Sequence, residues 1–135
     1  MGGKTISNTT YGGEADTTLT HSVVEATYSG DDTIQYVNFN AATNATVQWN
    51  RIYCAVSGTK NVKFRYALES GARNLDVYVN GTKVISDAAF TATGSWATWG
   101  EKTIQVPMNS GNNTFKVVTT GAEGPNIESI SVSAE

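Results

Sequence analysis

Apolar and polar residues alternate along most of the chain from Ala45 onward, with the two-residue period of half-buried β-strands. The clearest run is Leu75 to Val79, in which the first, third and fifth residues are apolar and share one face. Asn80-Gly81 follows this run and predicts a tight hairpin turn, because both residues accept a positive φ. The returning strand is predicted over Thr82 to Ser86.

Similar short runs, separated by turns rich in Gly, Asn and Ser, predict strands elsewhere in the chain. About nine or ten strands at this regular spacing are typical of an all-β sandwich or barrel. The further strands are predicted over 14–19, 23–27, 33–39 and 45–49, and around Val62 to Tyr66, Ile104 to Val106, Phe115 to Val117 and Ile127 to Val132.

The length of 135 residues predicts a single domain over 1–135. The start, Met1 to Lys4, lacks the apolar core of a signal peptide, and we interpret it as an artificial start. No run approaches the roughly 20 apolar residues that span a bilayer, so no membrane partner is expected. The formal charge of −3 and the scattered lysines argue against a nucleic-acid partner, because phosphate binding needs a concentrated basic face.

Groups that could perform catalysis are scarce. His21 is the only histidine, no Gly-x-Ser-x-Gly elbow accompanies it, and glycine-rich phosphate loops are absent. The single cysteine, Cys54, lies in a strand-like setting and is interpreted as a small buried hydrophobic residue. These observations favour a binding protein over an enzyme. A small polysaccharide lyase or hydrolase and a structural or adhesive sandwich remain as alternatives.

Two segments carry residues suited to binding. Trp96 and Trp99 lie in a Gly- and Ser-rich loop, where an exposed indole offers a flat apolar face to a sugar ring. The other interpretation is that both indoles are structural. Asn126 follows a Gly- and Pro-containing turn, and its amide offers a donor and an acceptor to adjacent sugar hydroxyls. An ordinary turn asparagine is the alternative.

Acidic residues near the two ends of the chain could form a metal site. Glu14 and Asp16 lie on the same side of a predicted strand, because residues two apart face alike. Together with Glu128 from the last strand they would supply the all-oxygen ligands that calcium prefers. A solvated acidic edge is the alternative.

Taken in order along the chain, these motifs resemble carbohydrate-binding modules of families 6 and 35, and family 35 more closely. The resemblance covers nearly the whole sequence. Its stretches are Glu14-Ala15-Asp16, Tyr28-Ser29-Gly30 with Tyr36-Val37-Asn38-Phe39, Phe64-Arg65-Tyr66 with Tyr78-Val79-Asn80-Gly81, and Thr93-Gly94-Ser95-Trp96 with Trp99 and Gly124-Pro125-Asn126-Ile127-Glu128.

The resemblance implies a non-catalytic jelly-roll sandwich that contains a structural calcium. The calcium ligands would be Glu14, Asp16 and Glu128. A sugar site in the loops at one end would use Tyr36, Arg73, Trp96 or Trp99, and Asn126, with Trp99 preferred as the stacking ring. Some members of the family use a second calcium, for which Asp31 and Asp32 are candidates, although they could equally form a turn.

The resemblance also implies a biological setting. The ligand would be a plant or microbial polysaccharide that contains uronic acid, galactose or mannose, and the module would target an attached glycan-degrading enzyme to it. We therefore expect a secreted, monomeric module. Arg73 would hold a uronate carboxylate or paired hydroxyls through its planar guanidinium. A surface ion pair with Glu69 is the alternative for this arginine.

Overall fold

The described chain is built of β-strands. The computed structural model describes residues 9–12, 17–25 and 36–134, and within them no helix is long and apolar enough to cross a membrane. Eleven strands are present in this part: β1 (Thr9–Gly12), β2 (Thr17–Thr20), β3 (Ser22–Glu25), β4 (Tyr36–Phe39), β5 (Thr43–Cys54), β6 (Gly58–Ala67), β7 (Ala72–Val79), β8 (Thr82–Thr91), β9 (Gly100–Met108), β10 (Gly111–Thr120) and β11 (Asn126–Ala134).

The strands form two antiparallel sheets that share one hydrophobic core. The first sheet has the order β3-β4-β11-β6-β9, with β1 also paired to β11, and the second has the order β2-β5-β10-β7-β8. From β4 to β7 and again from β8 to β11, successive strands lie in opposite sheets, as in a jelly roll. The predicted all-β sandwich is confirmed. The short strand β1, which the alternation of the sequence did not predict, raises the strand number above the nine or ten expected.

The two-residue period decides which side chains form the core. In β6 the apolar residues Val62, Phe64 and Tyr66 are buried, whereas the intervening Lys63 and Arg65 are exposed on the outer face of the first sheet. Because consecutive side chains of a strand point to opposite faces, this one pattern supplies both the core and the charged surface.

The predicted hairpin between β7 and β8 is confirmed. Val79 pairs with Thr82, and between them Asn80 and Gly81 have φ angles of 52° and 85°. These positive values are those of a two-residue turn whose twist matches the flanking strands.

Cys54 is fully buried, as predicted for a small hydrophobic residue. Its Sγ lies 3.7 Å from the Sδ of Met108. Burial raises the pKa of this thiol, and the nearby charge of Lys60 acts in the opposite direction. The thiol is therefore a packing group of the core.

Asn113 joins several turns at the end of the sandwich where β10 begins. Its side chain is buried, and Nδ2 donates to the carbonyl oxygens of Asn109 (2.9 Å), Ile52 (3.2 Å) and Gly111 (3.2 Å). Its Oδ1 accepts from the backbone N of Asn109 (2.9 Å) and from Nδ2 of Asn80 (2.8 Å). Two turns and the end of strand β5 therefore depend on one buried amide.

We predict that Asn113→Ala lowers the free energy of unfolding by about 2–4 kcal/mol, because several buried polar groups lose their partner at once. Urea denaturation measures this loss. Asn112→Ala is the matched control, since Asn112 is the exposed neighbour on the same strand and should change stability little. Equal stability of the two variants would contradict the role assigned to Asn113.

Candidate functional site

A cavity of about 370 Å³ lies at the end of the sandwich opposite Asn113. Its volume falls in the lower part of the range of roughly 300–1,000 Å³ that is usual for ligand pockets. Four segments that are distant in sequence meet there: β4, the start of β7, the β8–β9 loop, and the β10–β11 loop with the start of β11. The lining residues are Asn38, Arg73, Trp96, Glu123 and Asn126.

Hydrogen bonds fix the beginning of the loop that carries Trp96. The backbone N of Thr93 donates to the carbonyl O of Leu68 (2.8 Å), and the backbone N of Leu68 donates to Thr93 Oγ1 (3.1 Å). Gly94 follows with a φ of 103°, a conformation that L side chains rarely adopt. A turn then closes between Ser95 O and the N of Thr98 (3.1 Å). Trp96 lies within this turn and packs partly against the core.

Arg73 lies beside the indole of Trp96. Its Cζ is 5.5 Å from the centroid of the ring, which places the cation within reach of the π-system. Nη1 also donates a long hydrogen bond of 3.4 Å to the carbonyl O of Gly124. The alternative ion pair with Glu69 does not occur among the ion pairs of the described residues. The guanidinium is thus oriented by an aromatic ring and a loop carbonyl, and it keeps further N–H donors for a ligand.

The close approach of the β10–β11 loop to the core explains why residue 124 is a glycine. A Cβ at this position would lie 2.8 Å from Cδ2 of Phe39 and 3.0 Å from Cδ2 of Leu75. Both distances are shorter than ordinary van der Waals contact. The loop therefore packs directly on buried side chains. This packing fixes the position of Gly124, between the cavity residues Glu123 and Asn126.

Asn126 is the polar residue that is most deeply buried in the cavity lining. Only 5% of its surface is exposed, and it pairs with Ala67 as the first residue of β11. Its side-chain amide makes no hydrogen bond to any residue that the structure describes, in contrast to the fully bonded Asn113. Buried amides without partners are rare and costly in folded proteins. The donors and acceptor of Asn126 are therefore available to a ligand.

Tyr36 and Trp99, also predicted as sugar-binding residues, contact each other instead of lining the cavity. Tyr36 is fully buried, and its hydroxyl donates to Glu25 Oε2 at 2.7 Å. Its ring centroid lies 5.9 Å from that of Trp99, with a tilt of 50°. The Cζ of Arg65 lies 5.9 Å from the Trp99 ring centroid. We call Tyr36, Trp99 and Arg65 the Trp99 cluster.

The structure therefore brings three of the five predicted sugar-binding residues, Arg73, Trp96 and Asn126, to one cavity. It does not place the preferred ring, Trp99, on the lining. Asn38 and Glu123 were missed. Asn38 lies two residues after Tyr36 and shares its face of β4, which is the signal that could have indicated it. Glu123 precedes Asn126 in the same turn, but its spacing carries no comparable signal.

The predicted calcium ligands can be followed only in part. Glu14, Asp16, Asp31 and Asp32 lie outside the described residues, and no group of three metal-binding side chains occurs among those described. Glu128 lies on β11, where its Oε1 accepts from Ser129 Oγ (2.7 Å) and lies 3.6 Å from Arg65 Nε.

Two observations concern the ability of the Glu128 carboxylate to bind a cation. Gly12, the last residue of β1, lies opposite Ser129, so the chain leaves β1 beside Glu128 and Glu14 follows two residues later. An acidic oxygen next to this strand end is compatible with a calcium site. One oxygen of Glu128, however, already lies near a guanidinium.

Comparisons with known proteins agree with this architecture. The family described as carbohydrate binding module (family 6) matches residues 7–134. A solved CBM35 from Paenibacillus barcinonensis is 64% identical, with a TM-score of 0.90 over 93% of this chain and 98% of that chain. A solved Xyl-CBM35 in complex with a glucuronic acid containing disaccharide is 27% identical, with a TM-score of 0.75 over 93% and 92% of the two chains.

Among curated proteins, the exo-beta-D-glucosaminidase of Amycolatopsis orientalis is 34% identical over 119 residues, which are 87% of this chain and 11% of that enzyme. The chain thus spans about a tenth of this relative and matches it only over the small module. The chain belongs to the family 6 carbohydrate-binding modules, is similar over its length to solved family 35 modules, and is a non-catalytic binding module.

Proposed function

We propose that the cavity binds a sugar residue of a uronic-acid-containing polysaccharide. The observation that carries this proposal is the buried side-chain amide of Asn126, which has no partner among the described residues although it lines the cavity. An amide donates and accepts at once, and this pairing matches two adjacent hydroxyls of a pyranose. A ligand that supplies both contacts would satisfy a group that is otherwise costly to bury.

Trp96 would supply the apolar contact. Its indole lines the same cavity as Asn126, and the bonds of Thr93 to Leu68 fix the beginning of its loop. A preformed ring loses little conformational entropy on binding, and its negative π-face is complementary to the C–H face of a sugar. We therefore assign the stacking contact to Trp96 in place of Trp99.

Arg73 would recognise the carboxylate of a uronic acid. Its guanidinium lies at the cavity beside Trp96, and charge-assisted hydrogen bonds to a carboxylate are stronger than those to a neutral hydroxyl. The similar Xyl-CBM35 was solved with a glucuronic acid containing disaccharide, which supports this choice over galactose- or mannose-containing chains. The acidic residue of the lining, Glu123, would accept hydrogen bonds from sugar hydroxyls.

The biological role proposed for the module is to hold an attached glycan-degrading enzyme on its substrate outside the cell. The support is that its relatives include the glucosaminidase described above and the endo-1,4-beta-xylanase B of Cellvibrio japonicus, each matched over a small part of its length. A contact of this size is expected to bind with millimolar to micromolar affinity, about −4 to −8 kcal/mol. Tryptophan fluorescence that responds to none of a glycan panel would favour an adhesive sandwich without a sugar site.

Trp96→Ala is predicted to weaken binding of a glucuronic-acid-containing disaccharide at least about tenfold, because the stacked ring is lost. Titration calorimetry measures the change. Tyr53→Ala is the matched control, since Tyr53 is an exposed aromatic residue at the far end of β5 and its removal should leave the affinity unchanged. An unchanged affinity of Trp96→Ala would overturn the assignment of the cavity.

Arg73→Met is predicted to weaken binding of glucuronic acid by about 10–100-fold, the equivalent of one lost charge-assisted hydrogen bond. Methionine keeps much of the length of the side chain against Trp96 while it removes the charge. Glucose, which has a hydroxymethyl group in place of the carboxylate, serves as the control ligand. Its weak binding should change little. Equal losses for both sugars would show that Arg73 does not read the carboxylate.

We further propose that Glu14, Asp16 and Glu128 hold a structural calcium. The support is the position of Glu128 beside the end of β1, two residues before Glu14, together with the preference of calcium for carboxylate oxygens. The ion would add positive charge near Arg65, whose Nε lies 3.6 Å from Oε1 of Glu128. Asp31 and Asp32 remain candidates for a second ion at the sugar site.

EDTA is predicted to lower the melting temperature, because a ligand that binds only the native state stabilises it by mass action. The expected loss is about 2.7 kcal/mol if the free calcium concentration is 100-fold above its Kd. Differential scanning calorimetry with and without added calcium tests this. Glu14→Gln should already melt at the lower temperature and respond little to EDTA, whereas an unaltered melt of the parent chain in EDTA would remove the calcium proposal.

A further inference from the structure

The Trp99 cluster crosses the outer face of the first sheet directly beside the cavity. Tyr36 and Asn38 lie on the same side of β4, two residues apart, so their Cα atoms are separated by about 7 Å. Tyr36 contacts Trp99, whereas Asn38 lines the cavity. Strand β4 therefore connects the cluster to the cavity through neighbouring side chains of one strand.

The side chains of Tyr36 and Arg65 both contact Trp99. The ring of Tyr36 lies 5.9 Å away in a tilted arrangement, and the guanidinium of Arg65 lies 5.9 Å from the indole centroid. Tyr36 is itself fixed, since its hydroxyl donates to Glu25 Oε2 at 2.7 Å. Tilted aromatic pairs and cation–π contacts are both stabilising.

Trp99 is also the last residue of the loop that contains Trp96. The loop begins at the hydrogen bonds between Thr93 and Leu68 and ends where β9 starts at Gly100. Its beginning is fixed by the backbone, and at its end Trp99 contacts Tyr36 and Arg65. The position of Trp96 at the cavity therefore depends on both attachments.

We propose that Trp99 is a positioning residue, which holds the loop so that Trp96 presents its ring to the sugar without contacting the sugar itself. This inference rests on the proposed sugar site at Trp96. It assigns different roles to two tryptophans that the sequence does not distinguish. Tyr36 and Arg65 take part in this role, because both contact the Trp99 ring.

Affinity, measured by calorimetry with a glucuronic-acid-containing disaccharide, tests the proposal first. Trp99→Ala should weaken binding about tenfold, and Trp99→Phe should restore most of it, since a smaller ring still lies between Tyr36 and Arg65. Thermal melts of each variant show that it is folded at the temperature of titration. Unchanged affinity in Trp99→Ala, or equal losses in the alanine and phenylalanine variants, would overturn the proposal.

The second measurement separates positioning from direct contact. The indole N–H signals of Trp96 and Trp99 are recorded by NMR with a soluble paramagnetic agent, and the ligand should protect Trp96 but not Trp99. Protection of Trp99 equal to that of Trp96 would show that it touches the sugar. If both Trp96→Ala and Trp99→Ala bind the disaccharide normally, the assignment of the cavity as the sugar site is wrong. If Trp99→Ala binds normally but Trp96→Ala does not, only the positioning role of Trp99 is wrong.

Discussion

The fold depends on a chain of aromatic rings that joins the two sheets. Phe64 of the first sheet contacts Phe90 and Phe115 of the second, at centroid distances of 5.1 and 5.9 Å, and Trp49 and Tyr66 extend the contacts. Large buried rings supply much of the free energy of a core, and edge-to-face geometry adds to it. Three of these four ring contacts join the two sheets, so neither sheet can slide without breaking several of them. The loops at the two ends of the sandwich are attached to strands that this core holds in place.

The cavity follows from this constraint. The core side chains Phe39 and Leu75 lie so close to residue 124 that only glycine fits, which fixes the turn leading to Asn126. Asn126 follows this turn, and its amide is buried without a hydrogen-bond partner among the described residues. A site of this kind is prepared before the ligand arrives, and little ordering cost remains to be met on binding.

The sequence was informative wherever a side-chain face depends on strand period. Alternation predicted the strand from Leu75 to Val79, and the Asn80-Gly81 turn that follows it has the expected positive φ angles. The choice between Trp96 and Trp99 could not be predicted in this way, because loop residues have no fixed period that assigns them to a face. Tyr36 shows the same limit: it is fully buried and contacts Trp99, which comes from a segment distant in sequence.

Charge in the cavity decides how an acidic sugar would be selected. Arg73 and Glu123 line one cavity and carry opposite charges, so their electric fields partly cancel. Salt screens the remaining field beyond the Debye length of about 8 Å at physiological ionic strength. The chain also carries a net charge of −3, which does not attract a polyanion from afar. Under the proposed function, selection of a uronate would therefore arise at contact range, from the guanidinium of Arg73 beside Trp96. Affinity for the acidic sugar should consequently reside in the dissociation rate.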